Sequence, residues 1–187
     1  MSEAHRRKKQ PVEVRRQLLD VTARLCVEHG FSGLTLDAVS REAGVSKGGL
    51  LHHFPSKQAL LDALCDSMIE GFDRRIEEIA ASDPDPRGRF SRAYLLANAE
   101  STMLPGMEHW SSLAFLMMGQ ADMRSRWQLW MTEHMARVEE TDGSMACSIA
   151  RLASDGLWLS DIFGMPAIRA ERRQDFINTL VEMTKKA

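Results

Sequence analysis

At 187 residues and 44% hydrophobic, the chain can bury a sizeable core, as one large domain or as a small domain beside a larger one, which excludes a disordered polymer. Its formal net charge of −2 would by itself argue against a polyanionic partner, yet residues 1–57 carry 10 Lys+Arg against 6 Asp+Glu (+4) and residues 58–187 carry 14 against 20 (−6), a basic head on an acidic body that suits a polyanion, the alternative being a solvated basic tail. Three widely spaced cysteines in apolar helical patterns, Cys26, Cys65 and Cys147, argue against a disulfide framework, and the lack of a membrane-length apolar run or a signal-peptide core leads us to expect a cytoplasmic protein with no membrane partner.

Apolar residues recur at helical spacing almost everywhere and strand signals are nearly absent, so the sequence predicts an all-α fold of about nine helices. A basic tail, residues 1–11 with Arg6, Arg7, Lys8 and Lys9, precedes a first helix expected over 12–29, with Leu18, Val21, Thr22, Leu25 and Cys26 on one face and Gly30 as its stop. Thr35 can cap a short second helix ending at Gly44, Ser46 a short third one reaching His53, and Ser56, after Pro55, a long fourth one. Leu61, Leu64, Cys65, Met68, Phe72 and Ile76 keep one face of that helix apolar until a Pro- and Asp-rich linker at 82–88. Five more helices are expected near 89–102, 106–119, 121–140, 144–163 and 168–185, broken by Gly and Pro clusters.

Two short helices joined by a tight Gly-containing turn and packed on a longer one form the unit that carries a helix into a major groove. Leu50 and Phe54 are expected to anchor the third helix, leaving Ser46-Lys47-Gly48-Gly49 at its exposed start. Two adjacent glycines cost a helix about 1 kcal/mol each relative to alanine. What they offer in return is close approach of the backbone to a groove or phosphate, with Lys47 in reach of a guanine edge or the backbone. His52 and His53 extend the polar surface, and Lys57 lies where the free amides of the fourth helix attract a phosphate.

Over residues 14–65 the sequence resembles the tetracycline-repressor (TetR) family of regulators. The likeness is carried by Gly30-Phe31, Leu34-Thr35-Leu36, Ala43-Gly44-Val45-Ser46-Lys47-Gly48, His52-His53-Phe54 and Ser56-Lys57. The resemblance implies a helix-turn-helix domain (1–57) and a C-terminal domain (58–187) that binds a small-molecule inducer and forms a homodimer on double-stranded operator DNA. It also implies that Thr35, Ser46, Lys47, Gly48, His52, His53 and Lys57 lie at the DNA, and the twin-glycine argument adds Gly49. Two residues depart from the common family pattern: Leu51 where tyrosine is usual and Ser40 where alanine is. Leu51 leaves open weaker binding, recruitment of His52, or contact with a thymine methyl group.

The C-terminal part holds all four tryptophans and 11 of 12 methionines, groups that line adaptable apolar pockets and also fill ordinary cores. With the resemblance, Trp110, Met118, Trp127, Trp130, Met131 and His134 are the expected ligand residues. Along the eighth helix Ala146, Ala150, Ala153 and Leu157 form a stripe beside Ile149, Leu152, Leu159 and Phe163. With Phe176 and Leu180 of the ninth helix the stripe is expected at a dimer interface, the alternative being an interior helix. No catalytic motif and no metal-ligand spacing is recognisable, so no enzyme, cofactor or metal is expected. The competing reading is a helical small-molecule-binding or scaffold module without a DNA role.

Overall fold

A computed structural model of the chain describes the backbone of residues 3–101, 108–165 and 167–185, and side chains within these ranges apart from residues 3–10, 101 and 108–110. Among the described residues there are nine α-helices and no strand: α1 (Glu3–Gly33), α2 (Leu36–Glu42), α3 (Lys47–His53), α4 (Lys57–Ala81), α5 (Arg89–Ser101), α6 (Glu108–Met118), α7 (Ala121–Asp142), α8 (Met145–Ile162) and α9 (Arg173–Lys185). No described helix is long and apolar enough to cross a membrane. The chain forms two compact units, 1–68 and 69–187. The division falls inside α4 rather than at its start, because Leu60, Leu61, Leu64 and Cys65 in the opening turns of that helix are all buried.

Two helix limits differ from those expected. α1 begins at Glu3 rather than near residue 12, with Pro11 inside it; proline lacks one hydrogen-bond donor, but its fixed φ is that of a helix. α9 begins at Arg173 rather than near 168. Arg169 is extended and a 3-10 turn occupies 170–172, so the chain leaving α8 needs several more residues before helical geometry resumes. Elsewhere the punctuation matches. α1 is broken at Gly30 (φ 70°), and Thr35, Ser46, Ser56 and Ser144 accept hydrogen bonds from the amides of Ala38, Gly49, Ala59 and Cys147.

In the first unit the core includes Leu18, Leu25, Cys26, Leu34, Val39, Leu50 and Phe54, each nearly inaccessible. The α2–α3 turn is closed by paired backbone bonds, Gly44 N–H to the Arg41 carbonyl at 3.2 Å and Val45 N–H to the Ser40 carbonyl at 3.0 Å. These require Gly44 to adopt φ 65°, a left-handed conformation that glycine alone takes without a steric penalty. Gln17 donates to the Ala43 carbonyl at 3.1 Å, Arg24 reaches Glu42 at 3.2 Å, and the Arg15 guanidinium lies 5.2 Å from the Phe54 ring centre. Three side chains of α1 thus fix α2 and α3. Burial pushes the Cys26 thiol up to about 11 despite nearby Lys57, which keeps it a neutral core group.

The second unit is built around α5, whose two sides serve two cores. Phe90, Ala93, Tyr94 and Ala97 meet Phe72, Ile76 and Trp130, while Leu95 and Ala99 meet Ala150, Leu157, Ile177 and Leu180. Burying a helix on both sides requires its charge to be neutralised locally. Arg92, only 3% exposed, binds Asp83 at 2.6 Å, the carbonyls of Arg87 and Asp85, and the Thr184 hydroxyl. Burial would raise the Asp83 pKa, but the Arg92 bond and the Asp85 amide outweigh it and hold the carboxyl below its ordinary value. Asp142, 1% exposed, accepts from the Ser91 amide at 2.7 Å and so satisfies a free amide in the first turn of α5. A Cβ at Gly88 would sit 2.7 Å from the Thr184 carbonyl oxygen, so only glycine lets the start of α5 come this close to the end of α9.

Candidate functional site

The geometry of α3 separates its two glycines. A Cβ on Gly49 would press on the capping Ser46 hydroxyl at 3.2 Å, so the cap itself favours glycine there; a Cβ on Gly48 would meet nothing within 4 Å. The fold therefore gives no reason for Gly48, and its backbone is open to an approaching surface. Only Leu50 of α3 is buried. Lys47, Gly48, Leu51 and His52 are exposed and His53 is half-buried, its ring 5.7 Å from that of His52. α3 itself thus offers a capped helix start, a lysine, two imidazoles and no acid of its own. That surface can donate hydrogen bonds to phosphates and to purine edges.

The other expected DNA residues lie at the starts of helices. Thr35 and Ser46 are exposed but already serve as caps. Lys57 is half-buried, its Nζ 3.5 Å from the Ser32 carbonyl, which holds its charge at the start of α4. Sequence reasoning missed Asp37, whose carboxylate lies 2.9 Å from Lys47 Nζ; its signal was its place in the first turn of α2, two residues after the Thr35 cap. Gln17 and Arg15 were likewise missed, since their partners too lie on other helices.

In the second unit Trp127, Trp130, Met131 and His134 come together with Phe72, Phe90 and Tyr94. Trp127 stacks on Trp130 at 4.9 Å, and His134 lies between Trp130 at 4.4 Å and Phe90 at 5.5 Å. His134 Nε2 is 2.9 Å from an Asp73 oxygen, tying α7 to α4. The indole nitrogen of Trp130 is buried without a hydrogen-bond partner. Beside these rings, Asp155 of α8 accepts from the Tyr94 hydroxyl at 2.6 Å and from the Asn98 amide at 3.2 Å. Burial raises the pKa of Asp155, and burial with the adjacent Asp155 charge raises that of Tyr94. Met118 ends α6 and is not part of this cluster. Trp110 lies outside the residues whose side chains are described.

The expected interface stripe needs correction. Ala150 and Leu157 of α8 and Leu180 of α9 are buried within the chain, in the core that they form with α5. They hold the unit together, with α5 covering that face, as the interior-helix alternative has it. Ala153 and Phe176 pack at the edge of the same core, and Ala146 is half-buried. The exposed apolar face of α8 is the adjacent one, Met145, Ile149, Leu152 and Leu159 in sequence with Phe163 at the helix end.

 Phe115 of α6 packs its ring against Phe163 at 5.2 Å and is itself part-exposed, so the patch around Leu159 and Phe163 extends beyond one helix.

The model for bacterial regulatory proteins of the tetR family matches residues 18–64, and the model for the tetracyclin repressor-like C-terminal domain matches residues 88–185. The chain belongs to the TetR family. As a member it is a DNA-binding transcriptional regulator of the kind that responds to small molecules. It is 33% identical over 161 residues to the HTH-type transcriptional regulator BetI of Burkholderia lata, covering 79% of this chain and 81% of that protein. The HTH-type transcriptional repressor KstR2 of Rhodococcus jostii is 34% identical over 73 residues, 39% of this chain and 36% of that one. Among solved structures, the multidrug binding protein EbrR complexed with malachite green shares the fold at a TM-score of 0.70 and 20% identity, over 91% of this chain and 97% of that one. Both halves of this TetR protein thus have family counterparts, whereas the solved structure speaks to fold alone.

Proposed function

We propose that this TetR-family protein is a repressor that holds a palindromic operator as a homodimer and leaves it when a small-molecule inducer occupies the second unit. The observation that carries the DNA half of this reading is the exposed start of α3, where Gly48 has open space above it and Lys47 stands at the rim. On this reading Lys47 and the backbone of Gly48 and Gly49 approach base edges, while Thr35, Ser46, His52, His53 and Lys57 position the head on phosphates.

Seven residues of α3 span too few base pairs for a genomic address, so two copies about 34 Å apart are needed to engage successive major-groove faces. The exposed face of α8, with Ile149, Leu152, Leu159 and Phe163, supports a two-fold pairing of this chain with itself. For the inducer, the rings of Trp127, Trp130 and Phe72 beside the Tyr94–Asp155 pair support a molecule with an apolar, planar body and a polar or cationic group. α4 runs from residues of the first unit into those of the second, so a ligand that displaces Phe72 or Asp73 biases the helix that carries Lys57.

The test is a selection of duplexes from sheared DNA of the source genome, followed by screening small molecules for release of the selected duplex. A palindromic winner that is released by a ligand quenching tryptophan fluorescence is the expected result. A ligand that binds tightly and leaves duplex affinity unchanged contradicts the coupling.

A further inference from the structure

The reading face has one exposed acid, and it is paired with the lysine at the start of α3. α2 and α3 together carry two carboxylates, Asp37 and Glu42. Glu42 is engaged by Arg24 of α1, which fastens α2 in place. Asp37 faces the other way, 2.9 Å from Lys47, with both side chains more than half exposed. An ion pair so open to water contributes next to nothing to stability. A carboxylate beside the DNA also opposes the approach of phosphates.

Lys47 stands in the first turn of α3, where the free amides repel a cation. Asp37 stands in the first turn of α2, where the same end of the dipole favours an anion. The pair therefore links the start of one helix to the start of the other. An untethered lysine, a flexible stem with a strongly hydrated charge, would be taken by the nearest phosphate, which carries no sequence information.

We propose that Asp37 is a specificity-determining positioning residue: it holds Lys47 for base edges and discourages its capture by the phosphate backbone. The role rests on the reading of the α2–α3 face as the DNA surface. It predicts that removing the Asp37 charge raises affinity for DNA in general while lowering the preference for the correct site.

The experiment uses the full chain with two probes, the best duplex from a selection on random oligonucleotides and the unselected random pool, over a range of salt. Asp37→Asn is expected to bind the random pool about 3–10-fold tighter, with a steeper salt dependence by about one unit of slope, and to lose about 10-fold in the ratio of selected to random affinity. Asp37→Glu should keep most of that ratio, since the charge remains within reach of Lys47. In a Lys47→Ala background, Asp37→Asn should change the ratio by less than about 2-fold, because the partner it positions is gone. Thermal melts that match the wild type show that the variants are folded. An unchanged ratio in Asp37→Asn overturns the role, as does an equal loss with and without Lys47, which would mean simple repulsion. Wild-type protein with no preference for any duplex would instead remove the DNA reading itself.

Discussion

The seven-residue α3 buries a single side chain, Leu50, whereas along α5 Phe90 through Leu95 are all buried, Ser91 and Arg92 included. In the first unit the residues that hold the fold and the residues that face outward are therefore different residues. In the second unit the same apolar and aromatic types build the core, stand beside the expected ligand site and cover the outer face of α8. A short helix displays its function because its burial needs are small. A long helix packed on two sides hides its function among residues that the core would demand anyway.

The sharpest way to break this contrast is to place the same charge at two neighbouring positions of α8. Ala150→Asp puts a carboxylate at a site with no exposure, and a loss on the order of 4–5 kcal/mol, or failure to fold, is expected in chemical denaturation. Leu152→Asp changes a side chain that is 70% exposed. It should leave the unfolding free energy of the single chain within about 0.5 kcal/mol and shift sedimentation toward the monomer. If Leu152→Asp unfolds the chain while Ala150→Asp is tolerated, the assignment of the two faces is inverted.

The second test removes one member of the buried ion pair under α5. Arg92→Met leaves Asp83 and the Asp85 and Arg87 carbonyls without their donor, and about 3–4 kcal/mol of stability should go with it. Denaturant titration measures the loss. The matching test in the first unit is Lys47→Ala, whose side chain is 58% exposed. Its thermal midpoint should be unchanged, while affinity for a selected duplex falls by about 10-fold or more at fixed salt, 1–3 kcal/mol, in a gel-shift or anisotropy titration.

The smallest effect expected is on acid stability. The Asp83 carboxyl is held below its ordinary value in the fold, so the stability it contributes is complete above the unfolded-state pKa, about 4, and disappears as pH falls through the lower folded value. Asp83→Asn should flatten that acid limb in a pH series of denaturation curves. Asp155 acts with the opposite sign. Its pKa is raised, chiefly by burial, so its ionisation opposes folding as pH rises above about 4, and Asp155→Asn should remove that opposing slope.

How much the sequence revealed follows the same division. Thr35, Ser46 and Ser56 were legible as caps because a hydroxyl followed by a helical pattern has a local physical meaning. Gly44 was legible as the turn for a similar reason, the left-handed conformation it supplies. The apolar stripe of α4 was legible in the same way, from Leu61 to Ile76, since spacing alone decides which face is apolar. What spacing cannot decide is which neighbour a face meets. Ala150, Leu157 and Leu180 suit a close helix contact of either kind, and α5, not a second copy, provides it. The Asp37–Lys47 pair escaped notice because its partners lie on different helices whose approach depends on the turn between them. Leu51 is 38% exposed, so its side chain is not committed to the core of the first unit.

The most direct measurement is an equilibrium competition at physiological salt between a duplex selected by the protein and random-sequence DNA, with wild type and Lys47→Ala compared side by side. A wild-type preference of about 10³-fold or more for the selected duplex, sharply reduced in Lys47→Ala at unchanged thermal stability, is the result expected if the start of α3 reads base edges. Equal affinity for both duplexes, or a preference that survives the loss of Lys47 undiminished, would contradict it.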